Sequence, residues 1–463
     1  MGATRDEERK GDASRPTYEE LLEENRALKR EVERLTRLVE ELRQQGRRQA
    51  APFRKRDEPA GKAKKPGRKS GRRHGRHVHR GVPPRIDETH EVPLPKQCPH
   101  CGDDRLRETY VATQYQTEIP RTVIYRQFEI HVGKCEGCGR PVEGRHELQT
   151  SAARGAAASQ LGPNVHAALA VLNKKLGLSH GKSVKLLSLL FTPLCIARAA
   201  SIRSIHRTAR RCQPAYQQLR QELRSAPEVA PDETGWRVAG RNAWLHAFVS
   251  SRSTCYVIDP TRGLRPAEEL LGHDWPGTLV HDGWSIYDQF DQAWHQQCVR
   301  HLQRRCQGLL ETAVRGAARF PRAVLALIDQ AFSLRRAWRG HRLSGDVLAE
   351  EGLVLSCQLE QIASGRFTCA ANRRLANHIL KHALHWFWFL IDPAIAATNY
   401  RAEQAIRPAV VNRKVWGGNR TWLGAASQGI VASVLRTCEQ RDLMPHDFLR
   451  KAIVGPQPQF LPP

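Results

Sequence analysis

From residue 228 onward the order of secondary-structure elements can be read from the sequence, and that order restricts the fold of the larger part of the chain. EVAPDETGWRV, NAWLHAFVSS and TCYVIDP are rich in β-branched and aromatic residues and are separated by short polar turns, so they read as three successive strands. RPAEELLG reads as a short helix, GTLVHDGW as a fourth strand and WSIYDQF as a second helical piece. After it, AWHQQCVRHL opens as a fifth strand. Two acids fall at informative places, Asp232 inside the first strand and Asp282 at the C-terminal end of the fourth. A third, Glu403, lies in TNYRAEQAIRPAVVNRK. There Ala402, Ile406 and Ala409 form the apolar stripe of a helix, and Glu403 projects beside it one turn before Arg407.

Strand-strand-strand-helix-strand-helix-strand is the order of an α/β RNase-H-like core, in which the middle of strand one adjoins the end of strand four. Each acid has a plain structural alternative. Asp232 can be a strand-end turn residue, Asp282 half of an Asp-Gly turn, and Glu403 a surface partner of Arg407 in an i,i+4 pair worth ~0.2–0.5 kcal/mol. Together, in this order and on these elements, they point to a carboxylate site. Carboxylates are the hard oxygen ligands that Mg2+ or Mn2+ prefers. Phosphodiester cleavage needs an activated oxygen nucleophile and a stabilised leaving alkoxide, and two divalent ions ~3.5–4 Å apart supply both. The expected arrangement has Asp232 bridging two ions, with Asp282 and Glu403 each holding one. His281 reads equally as structural or functional. Trp236, Trp284, Trp416 and Trp422 read as core residues or as platforms for unpaired bases.

The formal net charge of +26 calls for a polyanion, and nucleic acid is the first candidate. A membrane surface is the other, but no stretch approaches the ~20 apolar residues of a spanning helix. The richest run, Trp386 to Ile391, stops at Asp392-Pro393. The polar start MGATRDEERK carries no apolar signal region. The expectation is a cytoplasmic, nucleoid-associated protein with no membrane partner.

Leu21, Leu28, Leu35 and Leu42 recur every seven residues, with Tyr18, Asn25, Val32 and Val39 at the facing position. β-Branched residues opposite leucine favour a parallel two-stranded coiled coil, and one buried Asn fixes its register. An amphipathic helix packing on its own protein is the alternative. Residues 47 to 85 hold fifteen Lys/Arg against two acids, half of the chain's net charge. Gly and Pro interrupt that run, which suits a flexible arm laid along phosphates, with Arg68, Lys69, Arg72 and Arg73 as expected contacts. A solubilising linker is the bland reading.

Of the twelve cysteines, four form two CxxC pairs, Cys98 with Cys101 and Cys135 with Cys138, and the other eight are scattered. That is not the pattern of a disulfide scaffold. Two thiolate knuckles joined by β-forming sequence, with Phe128, Ile130 and Val132 alternating, read as a zinc ribbon holding structural Zn2+ in a site of four cysteines. A redox CxxC needs no second pair. Residues 149 to 226 read as helical, including two short helices, KSVKLLSLLF and ARAASIRSIHRTARR, around Thr192-Pro193. They suit either a helix-turn-helix or an ordinary connector.

The zipper, basic arm, CxxC pairs, PDETGW, HDGW, CVRHLQRR and RAEQAIRP together resemble the large transposases of the bacterial insertion-sequence-66 family, over roughly residues 15 to 450. The resemblance implies an acidic triad at Asp232, Asp282 and Glu403, a Cys-x-x-His pair at Cys298 and His301, and a helical insertion between the second and third acids. It also implies small accessory proteins. The family commonly has Asp-Asn where this chain has Thr398-Asn399. The activity implied is metal-dependent cleavage of element ends followed by strand transfer, on double-stranded DNA and as a homodimer or higher oligomer. Arg407, Arg413 and Lys414 are expected phosphate contacts. The organisation that follows is a multidomain chain. It has a coiled coil over 1–46, a basic linker over 47–85, a zinc ribbon over 86–148 and a helical domain over 149–227, with a DNA-binding helix-turn-helix as one reading of it. A catalytic domain over 228–440, with an insertion at about 307–390, and a tail over 441–463 complete it. A non-catalytic zinc-ribbon DNA-binding regulator and a nuclease that cuts without joining are the rival readings.

Overall fold

The computed structural model describes residues 23–28, 30–32, 34–35, 82–97, 99–105, 107–117, 122–153, 160–313, 315–455 and 460. The chain divides into two compact units, residues 1–117 and 118–463. In the first unit, residues 23–28, 30–32 and 34–35 are helical, and Leu28, Val32 and Leu35 of the heptad stripe are exposed on that helix. The rest of the heptad leucines, the basic arm with Arg68, Lys69, Arg72 and Arg73, and Cys98 lie outside the described residues. Residues 82–97, 99–105 and 107–117 form neither helix nor strand.

The second unit begins with a hairpin of β1 (Val132–Lys134) and β2 (Pro141–Glu143), paired antiparallel. The β-forming sequence expected to join the two cysteine knuckles forms less strand than its residues suggest: among the described residues from 110 to 134 only β1 is a strand. Alternation marks a face that can be buried, but a strand also needs a pairing partner. Phe128 instead lies against the His146 ring, with centroids 5.2 Å apart.

The helical region contains α1 (Pro163–Ala170), a π-helical turn over Val171–Lys175, α2 (His180–Leu190) and α3 (Arg198–Arg224). The expectation of a short second helix is wrong, since α3 runs for 27 residues. Its periodic buried stripe continues through Cys212, Ala215, Leu219 and Leu223, which keeps it packed on the core well past the basic segment.

The central sheet contains β3 (Glu228–Val238), β4 (Arg241–Val249), β5 (Thr254–Asp259), β6 (Thr278–His281) and β7 (Trp294–Gln297), in the spatial order β5-β4-β3-β6-β7. The first three strands are antiparallel neighbours, while β6 pairs parallel with β3 and β7 parallel with β6. The short helix α4 (Arg265–Leu271) precedes β6, and a 3-10 turn over Ser285–Gln289 stands where a second helix was expected.

After α5 (Val299–Thr312), the insertion folds as α6 (Arg319–Arg339), α7 (Gly345–Ala363), α8 (Ala370–Lys381) and α9 (Trp388–Ile391) around its own apolar cluster, which includes Phe320, Ile328, Leu355, Ile379 and Phe389. The chain then returns to the sheet as α10 (Tyr400–Trp416), α11 (Trp422–Gln440) and α12 (Pro445–Val454).

Side chains alternate across a strand, so the two faces of β3 differ. Ala230, Trp236 and Val238 face one cluster with Ala402, Ala405, Ile406 and Ala409 of α10. Val229 faces the other, with Leu223 of α3 and Leu270 of α4. The sheet is therefore the middle of three layers. Its β5 edge is covered by hydroxyls of α11: Tyr256 N donates to Ser433 Oγ at 2.8 Å and Thr254 N to Thr437 Oγ1 at 3.1 Å. Gly429 permits that approach, because a Cβ there would stand 2.8 Å from the Tyr256 carbonyl oxygen. Edge donors that would otherwise invite pairing are thereby satisfied.

Candidate active site

Strand register brings the first two acids together. Glu228 pairs with Thr278 and Val229 with Leu279. Continuing that parallel register three residues sets Asp282 level with Asp232, one strand spacing away, about 4.8 Å. Both have the parity of Ala230 and Val280, which face α10. Helix α10 meets this face through alanines, whose small side chains let its backbone approach, and the Tyr256 hydroxyl donates to the Ala405 carbonyl at 2.6 Å. Glu403 sits in the first turn of α10, where its N–H and that of Ala402 both donate to the Asn399 carbonyl. The three acids thus share one face of the sheet.

Burial pushes the Asp232 carboxyl up to about 7, and the charges of Glu233, Asp282 and Glu403 add to the effect. Each acid is also engaged locally. Asp232 Oδ1 accepts from Glu233 N at 2.8 Å, Asp282 Oδ1 from Trp284 N at 3.1 Å, and Glu403 Oε1 from Arg304 Nη2 at 2.9 Å. His301 Nε2 stands 3.6 Å from the same Glu403 oxygen. With these side-chain positions, no three His, Cys, Asp or Glu among the described residues form a metal-holding group. The donor set nevertheless suits a hard divalent cation: three carboxylates on one face, one of them raised by burial and by neighbouring negative charge.

The structure adds residues that spacing does not single out. Glu233 follows Asp232 and so points to the opposite face, where Arg262 pairs with it at 2.6 Å and the Tyr287 hydroxyl donates at 3.3 Å. Arg262 lies between the rings of Trp284 and Trp244, 4.3 and 4.9 Å from their centroids. Arg304 follows His301 by one helical turn of α5, the only sequence signal for it. Cys298 and His301 open that helix, with Cys298 N donating to the His281 carbonyl at 2.7 Å. His281 is buried, its Nε2 3.1 Å from Nδ1 of His295.

The expected phosphate contacts divide. Arg407 and Lys414 are exposed on α10. Arg413 turns inward, donating to Thr234 Oγ1 at 3.0 Å and to the Gly235 carbonyl, and ties α10 to β3. Trp236 is a core residue whose indole donates to Asn419 Oδ1, whereas Trp422 is half exposed. Cys135 and Cys138 form a turn between β1 and β2 in which Gly139, at φ +69°, donates to the Cys135 carbonyl. Hydrogen bonds from the backbone and thiol of Cys138 hold the Cys135 thiol below its ordinary range. Cys101 lies in the other unit and is exposed.

The family model described as "Transposase IS66 family" matches residues 159–427, more than half of the chain. The chain belongs to that family. The span matched in this IS66 family member includes Asp232, Asp282 and Glu403 and ends within α11. No curated protein matches the sequence.

Proposed function

We propose that this IS66 family member is a DDE transposase with an RNase-H-like core, cutting the ends of a bacterial insertion sequence and joining them to target DNA. The observation that carries the reading is the β3–β6 register, which sets Asp232 and Asp282 level on the face that α10 covers with Glu403. Asp232, Asp282 and Glu403 would hold Mg2+ or Mn2+, which when bound supplies Lewis-acid activation of the attacking oxygen and charge neutralisation at the leaving one. The chain's own part is to fix three carboxylates on a rigid sheet and helix, with Arg304 and His301 beside Glu403. In the first step water attacks the phosphorus at the element end and the 3′-oxygen leaves. In the second, that 3′-hydroxyl attacks a target phosphodiester and displaces a target 3′-oxygen.

The same reading assigns duplex DNA to the basic arm and to Arg407 and Lys414, dimerisation to the heptad helix, and structural Zn2+ to the cysteine pairs, with Cys135 and Cys138 as two of its thiolates. Small accessory proteins of the element are expected partners.

The test is cleavage and strand transfer on a duplex carrying the element's ends, with Mg2+ or Mn2+, comparing the wild type with Asp282→Ala. Metal-dependent nicking and joining that the variant lacks supports the transposase. Binding without cleavage by either protein, with the accessory proteins added, would favour a DNA-binding regulator.

A further inference from the structure

A cavity of about 540 Å³ opens beside α10, on the flank that follows Glu403 in sequence. Gln404 and Arg407 line it, so its wall begins within one helical turn, about 5.4 Å along the axis, of the third acid. Leu245 and Leu435 contribute apolar wall. Its volume falls in the ~300–1,000 Å³ range of small-ligand sites and is far too small for a duplex.

Three polar groups in this cavity lack a full set of partners: Lys174, Gln428 and Arg436, whose buried Nε has no hydrogen-bond partner. Lys174, on the π-helical turn, is 6% exposed, and no described carboxylate lies within ion-pair distance of it. Its ammonium stands 5.3 Å from the Trp416 ring centroid. Burial lowers its pKa to about 7. Gln428, 2% exposed, has a side-chain oxygen with no hydrogen-bond partner. Glu439, the one acid in the wall, is already paired with Lys175 at 2.6 Å and Arg436 at 3.2 Å. A largely buried cation without a carboxylate partner and a buried acceptor without a donor oppose folding, and a ligand carrying an anion and an N–H donor would compensate both.

We propose that this cavity is a subsite for one unpaired nucleotide of the DNA strand, with its phosphate at Lys174 and Arg407 and its base against the apolar wall and Gln428. An inorganic anion has no use for the apolar wall, and an apolar molecule has none for Lys174. A nucleotide uses both, and two wall residues, Gln404 and Arg407, lie within four residues of Glu403 on α10. The inference rests on the transposase reading for the source of that strand. Lifting one nucleotide from its stack costs a few kcal/mol, least where it is already unpaired.

The test uses the full-length protein with no Mg2+ or Mn2+ added, so that binding is read without cleavage and any structural Zn2+ is kept. The probes are a duplex with one extrahelical 2-aminopurine nucleotide and the fully paired duplex of the same sequence. The wild type is expected to bind the first roughly tenfold more tightly, with a change in 2-aminopurine fluorescence. Lys174→Met and Gln428→Leu should each bind both probes as the wild type binds the paired one. The methionine variant should melt no lower than the wild type, because an apolar side chain replaces an unpaired buried charge. Equal wild-type affinity for the two probes overturns the subsite alone, and so does full preference in a folded Lys174→Met protein. Failure to bind either probe with the accessory proteins added overturns the transposase reading with it. If Lys174→Met does not fold, Gln428→Leu and the exposed Arg407→Gln decide the matter by the same comparison.

Discussion

Arg304 reaches from α5 to donate to Glu403 Oε1 at 2.9 Å, so the third acid of the site carries a protein cation. Both side chains are substantially exposed, at 58% and 36%, and such a pair contributes at most ~1 kcal/mol to stability. Arg304→Ala is therefore expected to move the melting temperature by no more than about 2–4 °C. It should also lower the Mg2+ concentration needed for half-maximal cleavage, because a competing cation has been removed. A metal titration that coincides with the wild type would show that Arg304 and metal do not compete at Glu403.

Asp232→Asn is expected to abolish cleavage and yet stabilise the metal-free protein at neutral pH. The folded-state pKa of Asp232 is raised to about 7 from an ordinary value of about 3.8, chiefly by burial. The folded state therefore holds this proton more tightly than the unfolded one. The associated stability is fully present below about 3.8 and is lost as pH rises through about 7. Against the wild type in chelator, the variant should gain on the order of 1–2 kcal/mol between pH 5 and 8. Parallel melting curves for the two proteins across that range would count against the burial argument.

A histidine cluster beside the site should act in the opposite direction. His378 and His385 are both lowered to about 4, mainly by burial, with Arg305 next for His378 and His295 next for His385. Asp288 and Lys381 are the nearby acid and base, paired with each other at 2.7 Å. A lowered histidine contributes stability that is present above its ordinary value of about 6.5 and lost as pH falls toward 4. His378→Gln with His385→Gln should flatten the acid side of the wild-type stability profile over that window. An unchanged acid slope in a folded double variant would remove these two rings as its cause.

Arg335 pins the insertion to the sheet-bound chain. Its guanidinium, on α6, donates to the carbonyls of Phe389, Pro393 and Ile395, and the residue is 8% exposed. Arg335→Met would leave buried carbonyls unpaired at ~1–3 kcal/mol each. The expected result is a loss of roughly 3 kcal/mol or more, read by urea unfolding, with DNA binding by the folded fraction retained. A loss below about 1 kcal/mol would mean that water replaces the guanidinium.

The sequence by itself determined the elements whose cause is local. Strand-forming segments between short polar turns marked β3, β4 and β5, and GTLVHDGW placed Asp282 at the end of β6. The alanine stripe of α10 located Glu403 because helical periodicity is a property of neighbours. The 27-residue length of α3 was hidden, since only packing against α11 and α12 shows that its stripe never leaves the core. Strand pairing before β1 was misread for the matching reason, because alternation names a face but not a partner. Tertiary structure alone decided that Glu233 faces away from Asp232, that Arg413 clamps α10 to β3, and that Arg304 meets Glu403 from 99 residues away. It also decided that Lys174 and Gln428, 254 residues apart, line one cavity. Those relations join distant segments through sheet register and helix packing, which no local periodicity encodes.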